Sequence, residues 1–352
     1  MRIAILGAGS IGCYLGAHLI RAGQDLVLIG RERLRAEVAT HGLSVSEADG
    51  QGFRLAPEQV SVYTEVEALA GCALILVTVK SADTKAAALA IAAHAPAQAV
   101  VVSFQNGLHN ASVLRSALPG RRVLAGMVPW NVVWGRDAHF HRGTSGELMI
   151  EAIAPTADAV CELLAAAGLA TRTSANFVGV QWGKLLLNLN NPLNALSGLP
   201  LRQQLAERGW RLILAALMRE ALMVMRAAGI RPQRAAALPP AWLPGVLGLP
   251  DALFLRLASS MLRLDPKARS SMAEDLERGR ATEVDYINGE VLRLAAASGV
   301  TAPLNEALVA LVHQAERELP VRTRYTAAAL SAALSAYARA QSEDRAQLQA
   351  KR

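Results

Sequence analysis

The first thirty residues constrain the fold most. Arg2-Ile3-Ala4-Ile5-Leu6 is a short apolar run, and Gly7-Ala8-Gly9-Ser10-Ile11-Gly12 follows it directly. Ile11, Tyr14, Leu15, His18 and Leu19 then recur at helical spacing as far as Ala22-Gly23, and Asp25-Leu26-Val27-Leu28-Ile29 is a second apolar run. A buried strand, a glycine turn, a helix and a second strand make the repeating unit of a doubly wound parallel sheet. Within that unit each glycine has a separate task. Gly7 permits the tight turn, Gly9 lets an anionic ligand reach the backbone, and Gly12 lets helix pack on strand. The helix N-terminus presents free N–H groups to a pyrophosphate, so no charged side chain is required there. Gly7, Ala8, Gly9, Ser10, Ile11 and Gly12 are therefore candidate cofactor-binding residues.

The end of the second strand selects the nucleotide. An acidic residue there would pair with the ribose hydroxyls of NAD, whereas Ile29-Gly30-Arg31 offers a guanidinium suited to the 2′-phosphate of NADP. Glu32, one step along, points the other way. The sequence predicts NADP(H), with Arg31 at the specificity position.

Two further strands follow, Leu74–Val79 and Ala99–Phe104, with alanine-rich helical segments between. Residues 1–172 read as a Rossmann-type α/β domain. After about residue 172, Leu/Ala/Arg/Glu patterns replace strand-like runs. Residues 173–340 read as a mostly α-helical C-terminal domain, with Pro239-Pro240 and the Gly/Pro-rich stretch from Leu243 to Pro250 as a loop. Residues 341–352 are polar and read as a frayed tail. A chain of 352 residues, 52% of them hydrophobic, suits two domains with sizeable cores.

The net charge of +7 raises nucleic acid as a partner, but Lys/Arg exceed Asp/Glu only by 36 to 29 and form no dense basic block. The excess favours small anionic ligands instead. Cys13, Cys72 and Cys161 lie far apart and fit neither a disulfide framework nor a zinc site, so no metal is expected. No signal peptide and no membrane span are expected either, and buried thiols suit a reducing cytoplasm. The apolar helical half is compatible with a homodimer.

Three more groups of polar residues fall where ligands bind. Val77-Thr78-Val79-Lys80 and Ser103-Phe104-Gln105-Asn106-Gly107 place Lys80 and Asn106 at the carboxyl ends of parallel strands, where open α/β sheets bind ligands. Gln181 to Pro192 reads as one helix with Lys184, Asn188 and Asn191 on a shared face, costly to bury unless satisfied. Arg269-Ser270-Ser271-Met272-Ala273-Glu274-Asp275 reads as a helix start. Thr282-Glu283-Val284-Asp285-Tyr286-Ile287-Asn288-Gly289 follows, with Glu283 expected on the next helical stretch. Helix capping alone accounts for the spacing of this last group.

In this order the pieces resemble the ketopantoate reductase family (2-dehydropantoate 2-reductase), from Met1 to about Pro320. The glycine motif fits many dehydrogenases. The combination with V-x-V-K at Lys80, Q-N-G at Asn106, K-L-L-x-N at Lys184 and the S-S-M…T-E-x-D-Y-x-N-G run is far more specific. The resemblance implies an N-terminal Rossmann domain, a helical C-terminal domain and an active site in the cleft. It implies NADPH-dependent reduction of a small-molecule 2-oxo acid, 2-dehydropantoate, to pantoate on the way to pantothenate and coenzyme A. By motif, Lys184 resembles the catalytic lysine and proton donor, and Glu283 a catalytic-site glutamate near cofactor and substrate. Lys80 and Asn106 resemble cofactor-holding residues, with Asn106 also bordering the substrate. Lys184, Asn188, Asn191 and Ser271 resemble substrate-binding positions.

Three departures lie where substrate identity could be decided. The Lys184-to-Asn191 interval is one residue short, leaving Asn190 or Asn191 as the match; Ala268 stands where asparagine is common; His109 stands where glycine is common. A paralogue reducing another 2-oxo acid, or a non-catalytic NADP-binding protein, are the alternatives.

Overall fold

The computed structural model describes residues 1–234, 238–257, 268–318 and 324–350. The chain divides into two compact units, Met1–Val180 and Gln181–Arg352.

The first unit is built on an eight-stranded sheet in the order β12-β11-β8-β7-β6-β1-β2-β5. These strands are β1 (Ile3–Leu6), β2 (Leu26–Ile29), β5 (Ser61–Tyr63), β6 (Leu74–Val77), β7 (Val100–Ser103), β8 (Val123–Met127), β11 (Leu148–Glu151) and β12 (Thr171–Ser174). Every pairing is parallel except β8 with β11. The continuous apolar runs are explained by burial on both faces. Ile3, Ile5, Leu26, Leu28, Leu74 and Leu76 enter one core, while Ala4, Leu6, Val27, Ile29, Ile75 and Val77 enter the other. Alternate residues of each strand thus serve opposite layers. Helices α1 (Ser10–Arg21), α2 (Glu32–His41) and α5 (Thr156–Ala166) fill the first core, and α3 (Thr84–His94) and α4 (Asn110–Ala117) the second. The chain winds outward from β1 through β2 to β5, then returns to β6 on the other side of β1. That reversal opens a crevice at the carboxyl ends of β1 and β6.

A second sheet, β4-β3-β10-β9, was not foreseen from the sequence. It joins β3 (Leu43–Glu47) and β4 (Gly52–Leu55) to β9 (Val132–Trp134) and β10 (His139–Arg142). Its core-facing residues include Leu43, Val45, Leu55 and Phe140, which pack with α1. Tyr14 of α1 donates to Glu47, which also pairs with Arg142.

Helix α6 (Phe177–Asn188) carries the chain across the division. The second unit continues with α7 (Asn190–Ser197), α8 (Leu201–Ala206), α9 (Arg208–Ala227), α10 (Leu243–Leu247), α11 (Asp251–Leu257), α12 (Ser271–Glu277), α13 (Asn288–Ala297), α14 (Pro303–Arg317) and α15 (Ala327–Ala350). Three expectations are corrected. The single helix from Gln181 to Pro192 is broken at Leu189, because Pro192 cannot donate to the Asn188 carbonyl and its ring crowds that group. The expected loop from Leu243 contains α10, with Pro244 in the first turn where no N–H is missed. The polar stretch from Gln341 continues α15 to Ala350, since Gln, Glu and Arg are good helix formers.

Arg211 anchors this unit. Fully buried on α9, it donates to the carbonyls of Leu247 (3.0 Å) and Leu249 (2.9 Å), pairs with Asp251, and lies 4.0 Å over the Phe254 ring. Cys13 and Cys72 are buried free thiols, and Cys161 is half-buried. Among the described residues, no helix is long and apolar enough to cross a membrane.

Candidate active site

In the first unit, the loops after β1, β2, β6 and β7 are joined into one structure. Gly7 adopts φ +98°, and a Cβ there would lie 2.5 Å from the Val79 backbone nitrogen. At Gly12 a Cβ would meet Thr78 at 2.6 Å and Ile5 at 2.7 Å. Both glycines are thus required by the protein itself. Gly9 is different: a Cβ there would meet only the Gly7 carbonyl oxygen, at 3.9 Å, so the protein leaves space above it. No side chain caps α1, whose first turn presents unopposed backbone N–H groups. An open glycine beside an uncapped helix N-terminus fits a pyrophosphate.

Arg31 follows β2 as the N-cap of α2 and is exposed. It stands beside the glycine turn, because the Ile29 carbonyl accepts from both Gly7 and Ala8, at 3.0 and 2.8 Å. Glu32 is committed elsewhere: its carboxylate accepts twice from Arg35, at 2.9 and 3.0 Å.

Lys80 and Asn106 occupy the loops after β6 and β7, on the far side of the glycine turn from Arg31. A polar network sequence reading did not find fixes these loops. Thr78 Oγ1 donates to the Gly7 carbonyl at 2.8 Å, and Gln105 Nε2 donates to the Val79 carbonyl at 3.1 Å. Ser81 Oγ donates to the Asn106 carbonyl at 2.8 Å. Buried Asn110 donates to Ser81 Oγ at 3.0 Å and accepts from Thr84 at 2.8 Å. Asn106 itself is exposed and Lys80 half-buried. The only local signal was the density of Ser, Thr, Gln and Asn after each strand.

In the second unit, Lys184 and Asn188 lie four residues apart on α6, both half-buried. Burial pushes the Lys184 ammonium down from 10.5 to about 8. Asn191 falls on α7, beyond the turn at Leu189. Asn190 is buried and exchanges hydrogen bonds with Gln204, so its amide is used structurally, while Asn191 remains half-buried. Ser270 caps α12 as expected, accepting from the Ala273 N–H at 3.1 Å. Its hydroxyl also donates to the Asn191 carbonyl at 3.1 Å, which brings α7 to the first turn of α12. Ser271 is the first helical residue there and is exposed. Asn194, fully buried, completes the junction by accepting from the Ser270 N–H at 2.8 Å and donating to Gln204 and the Leu199 carbonyl. Glu283 sits not in an α-helix but at the start of a 3₁₀ turn (Val284–Tyr286) leading to α13. It is half-buried, and the preceding Thr282 N–H is held by Glu316 of α14 at 2.7 Å.

Residues 3–155 match the ketopantoate reductase PanE/ApbA family, and residues 176–316 match its C-terminal domain. The 2-dehydropantoate 2-reductase of Halobacterium salinarum is 28% identical over 90% of this chain and all of its own length. Among solved structures, a PanE/ApbA family ketopantoate reductase from Ralstonia eutropha JMP134 superposes with a TM-score of 0.76 at 33% identity, covering 90% of this chain and 99% of that one. D-mandelate dehydrogenase with NADH and anilino(oxo)acetate shares the fold, with a TM-score of 0.75 at 21% identity over 91% of this chain and all of that one.

Proposed function

The chain belongs to the ketopantoate reductase PanE/ApbA family, and on that basis we propose that it reduces the ketone of 2-dehydropantoate to the alcohol of pantoate with NADPH. Lys184 carries the reading from family to chemistry. An ammonium brought down to about 8 is about nine-tenths protonated at neutral pH, yet gives up its proton far more readily than an ordinary lysine.

The turn from Gly7 to Gly12 seats the pyrophosphate, with the N–H groups of Ser10, Ile11 and Gly12 at the start of α1 as its donors, and Arg31 meets the 2′-phosphate. Glu32 is paired with Arg35 on its own helix. Lys80 and Asn106 hold the cofactor where it borders the substrate. When bound, NADPH supplies the hydride that reduces the ketone carbon. Lys184 stabilises the charge growing on the ketone oxygen, gives it a proton, and is left as an amine that solvent reprotonates. Asn188, Asn191 and Ser271 donate to the substrate's carboxylate and hydroxyl groups. Glu283 lies beside cofactor and substrate and orients them.

Steady-state assay decides the proposal. NADPH oxidation should be fastest with 2-dehydropantoate and slower with simpler 2-oxo acids, and NADH should be the poorer donor. Negligible turnover of 2-dehydropantoate beside good turnover of another 2-oxo acid contradicts the assigned substrate. Equal use of NADH contradicts the role given to Arg31.

A further inference from the structure

The turn that carries Glu283 is clamped to α14 from both sides. Thr282, before Glu283, donates its N–H to Glu316 Oε1 at 2.7 Å. Asp285, after Glu283, faces His313 of α14, with 3.1 Å between His313 Nε2 and Asp285 Oδ1. The other ring nitrogen, Nδ1, lies 2.9 Å from Glu316 Oε2. One imidazole therefore bridges Asp285, two residues after Glu283, and the Glu316 carboxylate that holds Thr282, the residue before it.

Ring chemistry makes this bridge dependent on protonation. A neutral imidazole carries one N–H and can donate to only one carboxylate, whereas imidazolium donates to both. We propose that His313 is a positioning residue whose protonated form closes the clamp and holds Glu283 in place. The proposal rests on the reading of Glu283 as a site residue.

Among the described residues, the ionisable side chains facing His313 are Asp285 from the turn and Glu316 from its own helix. From α13, Arg293 donates to the Asp285 carbonyl, and its charge acts on Asp285. Elements α7, α9 and α15 also pack on α14, and among the described residues the ring's ion pairs are with Asp285 and Glu316. Burial alone lowers the His313 pKa, but the hydrogen bonds to Glu316 and Asp285 outweigh it and raise it above the usual 6.5. A group whose folded pKa is raised contributes most below its unfolded value. The clamp is therefore complete in mild acid and loses one arm as pH rises through the folded value.

The test uses the full chain and NADPH affinity, read by fluorescence at pH 6 and pH 8.5. Binding involves no proton transfer by Lys184. His313→Gln keeps one donor but never the charge. It should bind NADPH about two- to fivefold more weakly than wild type at pH 6, the effect expected of partly exposed ion pairs, and equally at pH 8.5. His313→Lys should restore wild-type affinity at pH 6 and hold it at pH 8.5. Glu316→Gln, with one arm removed, should lower the ring's titration midpoint by NMR and weaken binding at pH 6. Wild-type and His313→Gln affinities that run parallel across pH overturn the role of His313. Glu283→Gln in the wild-type background judges Glu283 separately. Unchanged affinity there overturns the Glu283 reading and the proposal together. A loss there, with parallel pH curves, overturns His313 alone.

Discussion

The proposed cofactor site in residues 1–180 is made mostly of backbone, whereas the proposed catalytic site in residues 181–352 is made of side chains. Gly7 and Gly12 are dictated by neighbours within 3 Å, whereas Gly9 has open space above it. Lys184, Asn191, Ser271 and Glu283 instead come from four separate helices and turns, placed by buried amides such as Asn190 and Asn194. A backbone site is broken by adding atoms. A side-chain site is broken by taking them away.

The largest effect is expected where one side chain carries the chemistry. Lys184→Ala should lower kcat by about 10²–10⁴-fold while leaving NADPH affinity nearly unchanged. Unaltered turnover in steady-state kinetics would remove the catalytic assignment. The wild-type pH profile sharpens the same point. Reduction needs the ammonium, so kcat should fall as pH rises through about 8, well before the 10.5 of an ordinary lysine. A profile flat to pH 10 contradicts Lys184 as proton donor.

The glycines offer the reverse experiment. Gly7→Ala combines a left-handed backbone with a clash against Val79 and should cost at least about 2 kcal/mol of stability, seen as a lower Tm. Gly9→Ala meets no protein atom closer than 3.9 Å, so stability should stay within about 0.5 kcal/mol of wild type. Its NADPH affinity should nevertheless drop by about 1–3 kcal/mol, because the added methyl occupies the ligand's space. Calorimetry that finds both variants equally stable, or Gly9→Ala binding normally, breaks the distinction drawn between the two positions.

Arg31 carries the smallest effect because it is exposed. Arg31→Ala should weaken NADPH by about 1–2 kcal/mol and leave NADH unchanged. Equal weakening of both in a titration places Arg31 outside the specificity contact.

Much of the first unit was legible because its signals are local. Ile3 to Leu6 and Leu74 to Val77 are apolar at every position, which only burial on both faces of a parallel sheet explains. Glycine spacing between strand and helix, Ser270 as a cap, and the four-residue interval from Lys184 to Asn188 are likewise rules of short range. The rest was set by partners distant in sequence. The Asn190 side chain is taken by Gln204 and the Asn191 carbonyl by Ser270, pairings no local pattern announces. Strand β3 finds β10 across more than ninety residues, so the small sheet left no continuous pattern. His313 is set between Asp285 and Glu316 by the fold alone, because Asp285 comes from a separate element. Local sequence fixes backbone conformation and the faces that must be buried. Which polar group satisfies which is settled when the elements pack, because a buried donor is stable only beside an acceptor, and most of those acceptors come from elsewhere in the chain.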